Sequence, residues 1–361
     1  MNREKRVPRP SLEQFCRNVF ATLGLSEEEA LASAQILVAA DARGIASHGV
    51  ARLRRYVNGL KKGSMQAGVQ PTILRETPIS LVLDAEGGMG MSLSKRTMET
   101  VIEKAHVSGA AFASIRNSNH FGIAGYYSEM AAREDMIGIT MTNTAALGVP
   151  TFGSEAMFGT NPIAIAIPAE GDRMFSLDMS TTVVTRGKIE VYEREGRALP
   201  AGWAVDTTGN VTDDAALLLE DMLFQRGAGI LPLGGAGELF GGHKGYGLAT
   251  LVDIMTALTS GGVFGKSVKD SQESSARVCH FFGAIRLDLF RDPQELKHDL
   301  TQLLHQLNQT QLASDASRVY YAGQKEREHE EACQTLGVPL TEKVYDQLVS
   351  IGEELGVTLG G

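Results

Sequence analysis

No stretch of this 361-residue chain reaches the roughly 18 consecutive apolar residues of a membrane span. Residues 1–10 are basic but lead into no apolar run of signal length, so the sequence places the protein in the cytoplasm. Cysteine is scarce: Cys16, Cys279 and Cys333 are odd in number, have no close pair and offer neither a disulfide framework nor a zinc spacing. Positive charge is short as well. With 34 Lys and Arg against 43 Asp and Glu, the net charge of −9 leaves no basic face for nucleic acid or an anionic membrane, and points to a small-molecule substrate. H-E-x-x-H, P-loop, G-x-S-x-G and C-x-x-C patterns are absent, which removes the common metalloprotease, nucleotide hydrolase, esterase and redox-thiol classes. A dinucleotide fingerprint is missing too. Leu93 stands where a G-x-G-x-x-G motif begun at Gly88 needs its last glycine, and Phe240 does the same for one begun at Gly235.

What is present is an ordinary globular composition, 43% hydrophobic and 21% charged, on a chain long enough for two lobes. Ser11 with Gln14 and Ser26 with Glu29 read as capping boxes of two N-terminal helices, the first ended by Gly24 and the second reaching about residue 40. A third helical pattern, Val50, Leu53, Val57 and Leu60, stops at Gly63 and places Ser47 and His48 at its start. From residue 72 a β-α-β rhythm sets in. Strands are expected at 79–84, 111–115, 136–142 and 162–168, helices at 93–107 and 126–133, and a long polar loop at 143–161. A short strand at 175–178, a turn at 206–209, a glycine-dense run at 227–247 before an apolar helix, and a strand at 278–287 follow. Amphipathic helices near 293–309 and 341–355 close the chain. Helices at both ends predict one helical lobe from residues 1–70 together with 293–361, and a mixed α/β domain over residues 71–292.

Two histidines lie in polar, glycine-rich surroundings suited to proton transfer. His48 sits with Asp41, Arg43, Ser47 and Arg52 within twelve positions; Ser47 can orient the imidazole, and Arg52 offers a planar fork for a carboxylate. The free N–H groups of a helix start would favour that anion further, by ~0.3–1 kcal/mol. His120 falls between a strand and a helix among Asn117, Ser118, Asn119 and Gly122, a setting that can receive a phosphate. His243 and Lys244 lie in a glycine-rich stretch, where Lys244 can meet a phosphate or water. The histidines at 106, 280, 298, 305 and 329 read as structural or exposed. An alternative from another class is a metal-dependent lyase or hydrolase using His48, His120 and His243 with Asp41 or Asp178, although their spacing matches no metal motif.

Six segments in order, Asp41–Gly49, Ser118–Gly122, Phe158–Pro162, Leu177–Thr181, Pro200–Asp206 and Lys244–Leu248, resemble the type-2 malate/L-lactate dehydrogenase family. That family also holds ureidoglycolate and sulfolactate dehydrogenases, diketogulonate reductase and a cyclic imine reductase. The likeness runs from about residue 10 to the C-terminus. It implies a non-Rossmann α/β fold whose mixed sheet binds NAD or NADP, a helical lobe built from both chain ends, and a homodimer. It implies that His48 gives or takes the proton, that Ser47 orients it, that Arg52 holds the substrate carboxylate and that Thr160 contacts substrate. His120, Phe121, Gly122, Ile123 and Ala124, with Asp178, Met179 and Ser180, match cofactor-contacting stretches. In some members His120 is itself the acid/base residue, so both histidines stand as candidates. Lys244 and Arg318 complete the expected cofactor contacts, with one departure: Tyr321-Ala-Gly-Gln324 stands where the family usually shows Pro-Gly-Glu. Lys188, where the imine reductases tend to carry an acid, favours the hydroxy-acid dehydrogenases. The reaction so implied moves a hydride between a nicotinamide and C2 of a 2-hydroxy/2-oxo acid, malate/oxaloacetate foremost, with lactate, ureidoglycolate, sulfolactate or a cyclic imine as alternatives.

Overall fold

The computed structural model describes residues 4–269 and 276–360. The chain opens with β1 (Glu4–Val7), α1 (Arg9–Thr22) and α2 (Glu27–Ala42). Helix α1 starts two residues before Ser11, with Pro8 as its N-cap and Pro10 in the first turn, so the expected Ser11–Gln14 capping box does not form. Proline's fixed φ suits the first helical turn and moves the start upstream. The Ser26–Glu29 box does form, Glu29 N–H donating to Ser26 Oγ at 3.3 Å and Ser26 N–H to Glu29 Oε2 at 2.9 Å. Next come α3 (Leu53–Lys62), β2 (Thr72–Thr77), β3 (Ser80–Asp84), α4 (Gly90–Ser108), β4 (Ala110–Ser118), α5 (Ala124–Ala132) and β5 (Met136–Thr142). After the 143–161 loop follow β6 (Ile163–Pro168), β7 (Met174–Met179), α6 (Arg186–Arg194), β8 (Ala204–Val205), α7 (Ala215–Leu223), β9 (Gly229–Ile230) and α8 (Gly242–Asp253). Then β10 (Val278–Arg286), α9 (Pro293–Asn308), α10 (Gln324–Leu336), β11 (Val338–Thr341) and α11 (Glu342–Leu355) complete the order.

Several elements that the sequence pattern did not announce carry little apolar periodicity. Strand β2 is an exposed edge, α6 buries only Ile189, and the charge-rich α10 buries only Gln324 and Cys333. The basic N-terminal segment, in which the sequence announces no element, contributes β1 because β11 supplies a partner, from Glu4 opposite Thr341 to Val7 opposite Val338. Around that ribbon α11 packs on α1 and α3, and Glu354 pairs with Arg54 and Lys61. Helix α9 lies instead over the β6–β7 hairpin, where Leu304 packs with Ala169 and Tyr321 and Thr301 Oγ1 accepts the Glu170 N–H at 3.0 Å.

Seven strands form one mixed sheet in the order β2-β3-β4-β10-β5-β6-β7. Only β3 and β4, joined by α4, are parallel neighbours; β10 inserts between β4 and β5 and runs antiparallel to both. The β-α-β rhythm of the sequence is therefore real for β3-α4-β4 and interrupted for β4-α5-β5, which makes the sheet mixed and non-Rossmann. Register decides where the loops emerge. Ser118 lies opposite Val278, His280 opposite Thr142, Met141 opposite Ile163, and Ile163 opposite Met179. The loop after β4, the long loop after β5 and the segment after β7 thus leave from one end of the sheet. Among the described residues no helix is long and apolar enough to cross a membrane.

Helix α5 presses on β5 so closely that a Cβ on Gly138 would stand 1.9 Å from the Ser128 carbonyl oxygen. Backbone cannot step aside as a side chain can, so Gly138→Ala should destabilise the fold by about 2–3 kcal/mol. Urea unfolding followed by circular dichroism checks this, and a loss under about 0.5 kcal/mol would mean that α5 floats on the sheet.

Candidate active site

The site starts from a steric requirement. A Cβ on Gly49 would fall 2.1 Å from the Asp41 carboxylate, which lies there buried and accepts the Val50 N–H at 2.6 Å. Burial pushes the Asp41 carboxyl up to about 7, the Val50 hydrogen bond opposing it. Held at Gly49 and Val50, the chain makes two 3₁₀ turns, Ala46–His48 and Val50–Arg52, before α3 begins at Leu53. This corrects the placement of Ser47 and His48 at the start of α3: Gly49 is extended and divides the turns. Arg52 folds back so that its Nε–H donates to the Ser47 carbonyl at 2.7 Å, while its Nη groups find no protein partner among the described residues.

His48 and His120, 72 residues apart in sequence, meet as stacked rings with centroids 5.5 Å apart and planes at 23°. Ser47 Oγ lies 2.9 Å from His48 Nδ1. His120 Nδ1 faces the Gly122 N–H at 3.3 Å and the Tyr56 hydroxyl at 2.6 Å. An amide N–H can only donate, so Nδ1 of the neutral ring is an acceptor, the Tyr56 hydroxyl donates to it, and the ring proton sits on Nε2. Burial, then Arg52, drive the His48 pKa down to about 4. His120 is held well below the usual histidine range by burial, then by His48, Arg55 and Arg52. Tyr56, fully buried on α3, was not singled out in the sequence; it stands eight residues after His48 and one helical turn beyond Arg52.

The His120 loop is packed from below. A Cβ on Gly90, at the start of α4, would stand 2.1 Å from the Asn119 carbonyl oxygen, and one on Gly122 would meet Ile36 of α2 at 2.7 Å. The incomplete Gly87-Gly-Met-Gly90 motif therefore serves loop packing. At the far end of the loop the Gly125 N–H, in the first turn of α5, donates to Asp178 Oδ2 at 2.7 Å, so a carboxylate already answers one free donor of that helix start. Beside this pair opens a cavity of about 260 Å³ walled by Ile123, Gly125, Asp178, Tyr320, Lys325 and Glu326, among others. Its floor is an ion network: Arg43 bonds Glu129 at 2.7 Å and Glu330 at 3.1 Å, and the Ser176 hydroxyl donates to Glu129 at 2.8 Å.

The remaining expected residues are placed as follows. Thr160 stands just before β6, its N–H donating to Thr144 Oγ1 at 3.0 Å. Met179 ends β7 and Ser180 follows it, its hydroxyl donating to the Thr182 carbonyl at 3.1 Å. His243 and Lys244 are exposed in the first turn of α8. Arg318 is exposed and bonds Glu328 at 2.6 Å, its guanidinium 4.8 Å from the Tyr320 ring that lines the cavity. Among the described residues no group of three or more His, Cys, Asp or Glu could hold a metal ion, which leaves the metal-dependent alternative without a ligand set there.

A family model described as malate/L-lactate dehydrogenase matches residues 7–349. A malate dehydrogenase of Pyrococcus abyssi is 43% identical over 352 residues, covering 98% of this chain and 95% of the relative. An L-sulfolactate dehydrogenase of Methanocaldococcus jannaschii is 37% identical, covering 95% of each. The crystal structure of a malate dehydrogenase from Entamoeba histolytica superposes with a TM-score of 0.94 at 35% identity, covering 99% of this chain and all of that one.

In the ligand-free protein, His48 and His120 should both stay neutral well below the ordinary histidine midpoint, because burial and the arginines oppose the charged form. Their ring Cε1–H resonances are expected to hold neutral-form shifts from about pH 8 down to about 5.5. A midpoint near ~6.5 for either ring would contradict this electrostatic reading.

Proposed function

The chain belongs to the malate/L-lactate dehydrogenase family, and from that premise we propose that it interconverts malate and oxaloacetate with NAD, using His48 and His120 on one oxygen of the substrate. The enzyme class itself is plain: a nicotinamide-dependent 2-hydroxyacid dehydrogenase. The observation that carries the finer reading is the stacked His48–His120 pair with Arg52 beside it, on a loop that walls a cavity at its other end.

Each group has a task that follows from its surroundings. The free Nη groups of Arg52 grip the C1 carboxylate as a fork, with Thr160 as a further substrate contact. His120, whose proton is fixed on Nε2, donates a hydrogen bond to the C2 oxygen. His48, oriented by Ser47, takes the hydroxyl proton in oxidation and returns it in reduction. Arg55 joins Arg52 in depressing the His120 pKa after burial, so the pair sits in a positive field that suits an acid substrate, and the 43% identity to a malate dehydrogenase favours malate among the acids. A sulfonated acid would suit the same field, which keeps sulfolactate as the second reading.

The cavity fits a nicotinamide dinucleotide's sugar end. Gly125 presents no side chain, and a Cβ there would crowd Asp178 at 3.1 Å; Asp178 and Glu326 can accept from ribose hydroxyls. Asp178, Glu129 and Glu326 outnumber Lys325 and Arg43 on the wall, and Arg43 is already held by Glu129 and Glu330, which disfavours an added 2′-phosphate, hence NAD over NADP. Residues His120–Ala124, with Phe121 through its backbone because its ring is buried against His280 and Tyr127, together with Met179, Ser180, Lys244 and Arg318, extend the same cofactor surface in this proposal. When bound, the cofactor supplies or accepts the hydride at C2. Residues 1–70 with 293–361, apart from α9, are then the lobe that presents His48 and Arg52, and residues 71–292 together with α9, which lies on the β6–β7 hairpin, the cofactor-binding domain. The homodimer rests on Phe152, Leu239 and Phe240, all more than 80% exposed, with Phe152 only 3.9 Å from the Cβ position of Gly237.

A panel of 2-oxo acids with NADH and NADPH, followed by absorbance, should give the highest kcat/KM with oxaloacetate and NADH. His48→Ala and His120→Ala should each lower kcat ~10²–10⁴-fold, and Arg52→Lys should raise KM for the acid. A monocarboxylate preferred over every dicarboxylate, or a histidine variant within tenfold of the parent, would remove the corresponding assignment. Sedimentation should give a dimer that Phe240→Glu weakens; a monomeric parent protein would end the dimer proposal.

A further inference from the structure

A third histidine lies beneath the loop that carries His120. His280, on β10, is fully buried, and both of its ring nitrogens are engaged: Nδ1 with Thr142 Oγ1 at 2.8 Å and Nε2 with Ser118 Oγ at 2.9 Å. The Thr142 hydroxyl spends its one hydrogen on the carbonyls of Asn143 and Cys279, at 3.0 and 3.1 Å, so it accepts from Nδ1–H. Nε2 is therefore an acceptor and takes the Ser118 hydroxyl. The imidazole also lies flat on Phe121, with centroids 4.4 Å apart and planes at 4°. Phe121 also stacks on Tyr127, whose hydroxyl donates to the Phe121 carbonyl. One ring thus holds the residue two before His120 by a hydrogen bond and the residue after it by a face-to-face stack.

We propose that His280 is a positioning residue for His120: as a neutral Nδ1–H imidazole it clamps Ser118 and Phe121, and so sets the direction in which His120 Nε2–H points. The clamp also spans three strands. Ser118 ends β4, Thr142 ends β5, and Asn143, the first residue of the loop leading to Thr160, accepts the Cys279 N–H at 2.7 Å. No other side chain does all of this. Phenylalanine would stack but give up both hydrogen bonds to the ring, whereas glutamine could bond both hydroxyls but presents no ring to Phe121. Burial drives the His280 pKa down to about 3 against the opposing pull of the Asn119 backbone, which keeps the neutral ring that the clamp needs.

The proposal rests on the reading that His120 acts on the substrate oxygen, and its test separates the two. Long-range ¹H–¹⁵N correlation spectra of the ligand-free protein, labelled at histidine, should show His280 as the Nδ1–H tautomer and His120 as the Nε2–H tautomer at pH 7.5. Folded His280→Leu should broaden or shift the His120 signals toward mixed tautomers, and His280→Gln should do so less. In turnover, His280→Leu should lose kcat on the order of 10²-fold, the scale of a slight misplacement of a reacting group, while KM for the acid, set by Arg52, moves less than about threefold. His280→Gln should recover part of kcat. An Nε2–H tautomer at His280 in the parent protein overturns the clamp even if the leucine variant fails to fold. Unchanged His120 signals with unchanged kcat in a folded His280→Leu overturn it as well. If the parent protein turns over no 2-oxo acid, the proposed function fails while the tautomer result still decides the clamp.

Discussion

The hydrogen bond from the Tyr56 hydroxyl to His120 Nδ1 is the joint on which the site depends. Tyr56 belongs to α3 and His120 to a loop at the end of the sheet, so this bond fixes one part of the molecule against the other where the two histidines meet. A buried tyrosine with no partner for its hydroxyl would cost about 1–3 kcal/mol, and His120 relieves that cost. The same bond selects the tautomer of His120. Packing of α3 and chemistry at the ring are therefore one constraint, and neither can be altered alone.

Electrostatics gives that geometry a direction. Burial comes first in lowering the proton affinity of both rings, followed by Arg52 for His48 and by His48, Arg55 and Arg52 for His120, so the site presents neutral imidazoles. A carboxylate placed on Arg52 cancels the arginine's share of that opposition, since an anion within a few ångströms favours the imidazolium. In the function proposed above, proton uptake by His48 is thereby tied to arrival of the acid: the pair would donate when an oxo group is there to receive the proton and would act as a base when a hydroxyl must be relieved of one.

Much of this was legible in the residues. Ser47, His48, Arg52 and His120 announced themselves because they are polar groups crowded among glycines, where packing has no use for them. Tyr56 and His280 did not. Each is an amphipathic ring at a position whose apolar neighbours suggest core, and what distinguishes them is a partner far away in sequence: His120 for one, Ser118 and Thr142 for the other. The mixed sheet was hidden for the same reason. The pattern of β4, α5 and β5 is that of a parallel unit, and nothing local reveals that a strand 136 residues after Thr142 will slide between them.

That insertion explains how a chain without a glycine fingerprint can still build a nicotinamide site. In a parallel sheet the crevice arises where strand order reverses, and the cofactor lies on a helix start. Here β10 separates β4 from β5 and brings its first residues to the end where β4 and β5 finish. The space between the two loops is then filled by His280 and not by a phosphate, and the free donor at the start of α5 is taken by Asp178. With its floor already polar and satisfied, this end of the sheet would, in the proposed function, bind through side chains, His120 on the loop after β4 and Asp178 near the end of β7. A glycine-rich phosphate turn would have nothing to do at such an edge, so its absence follows from the strand order.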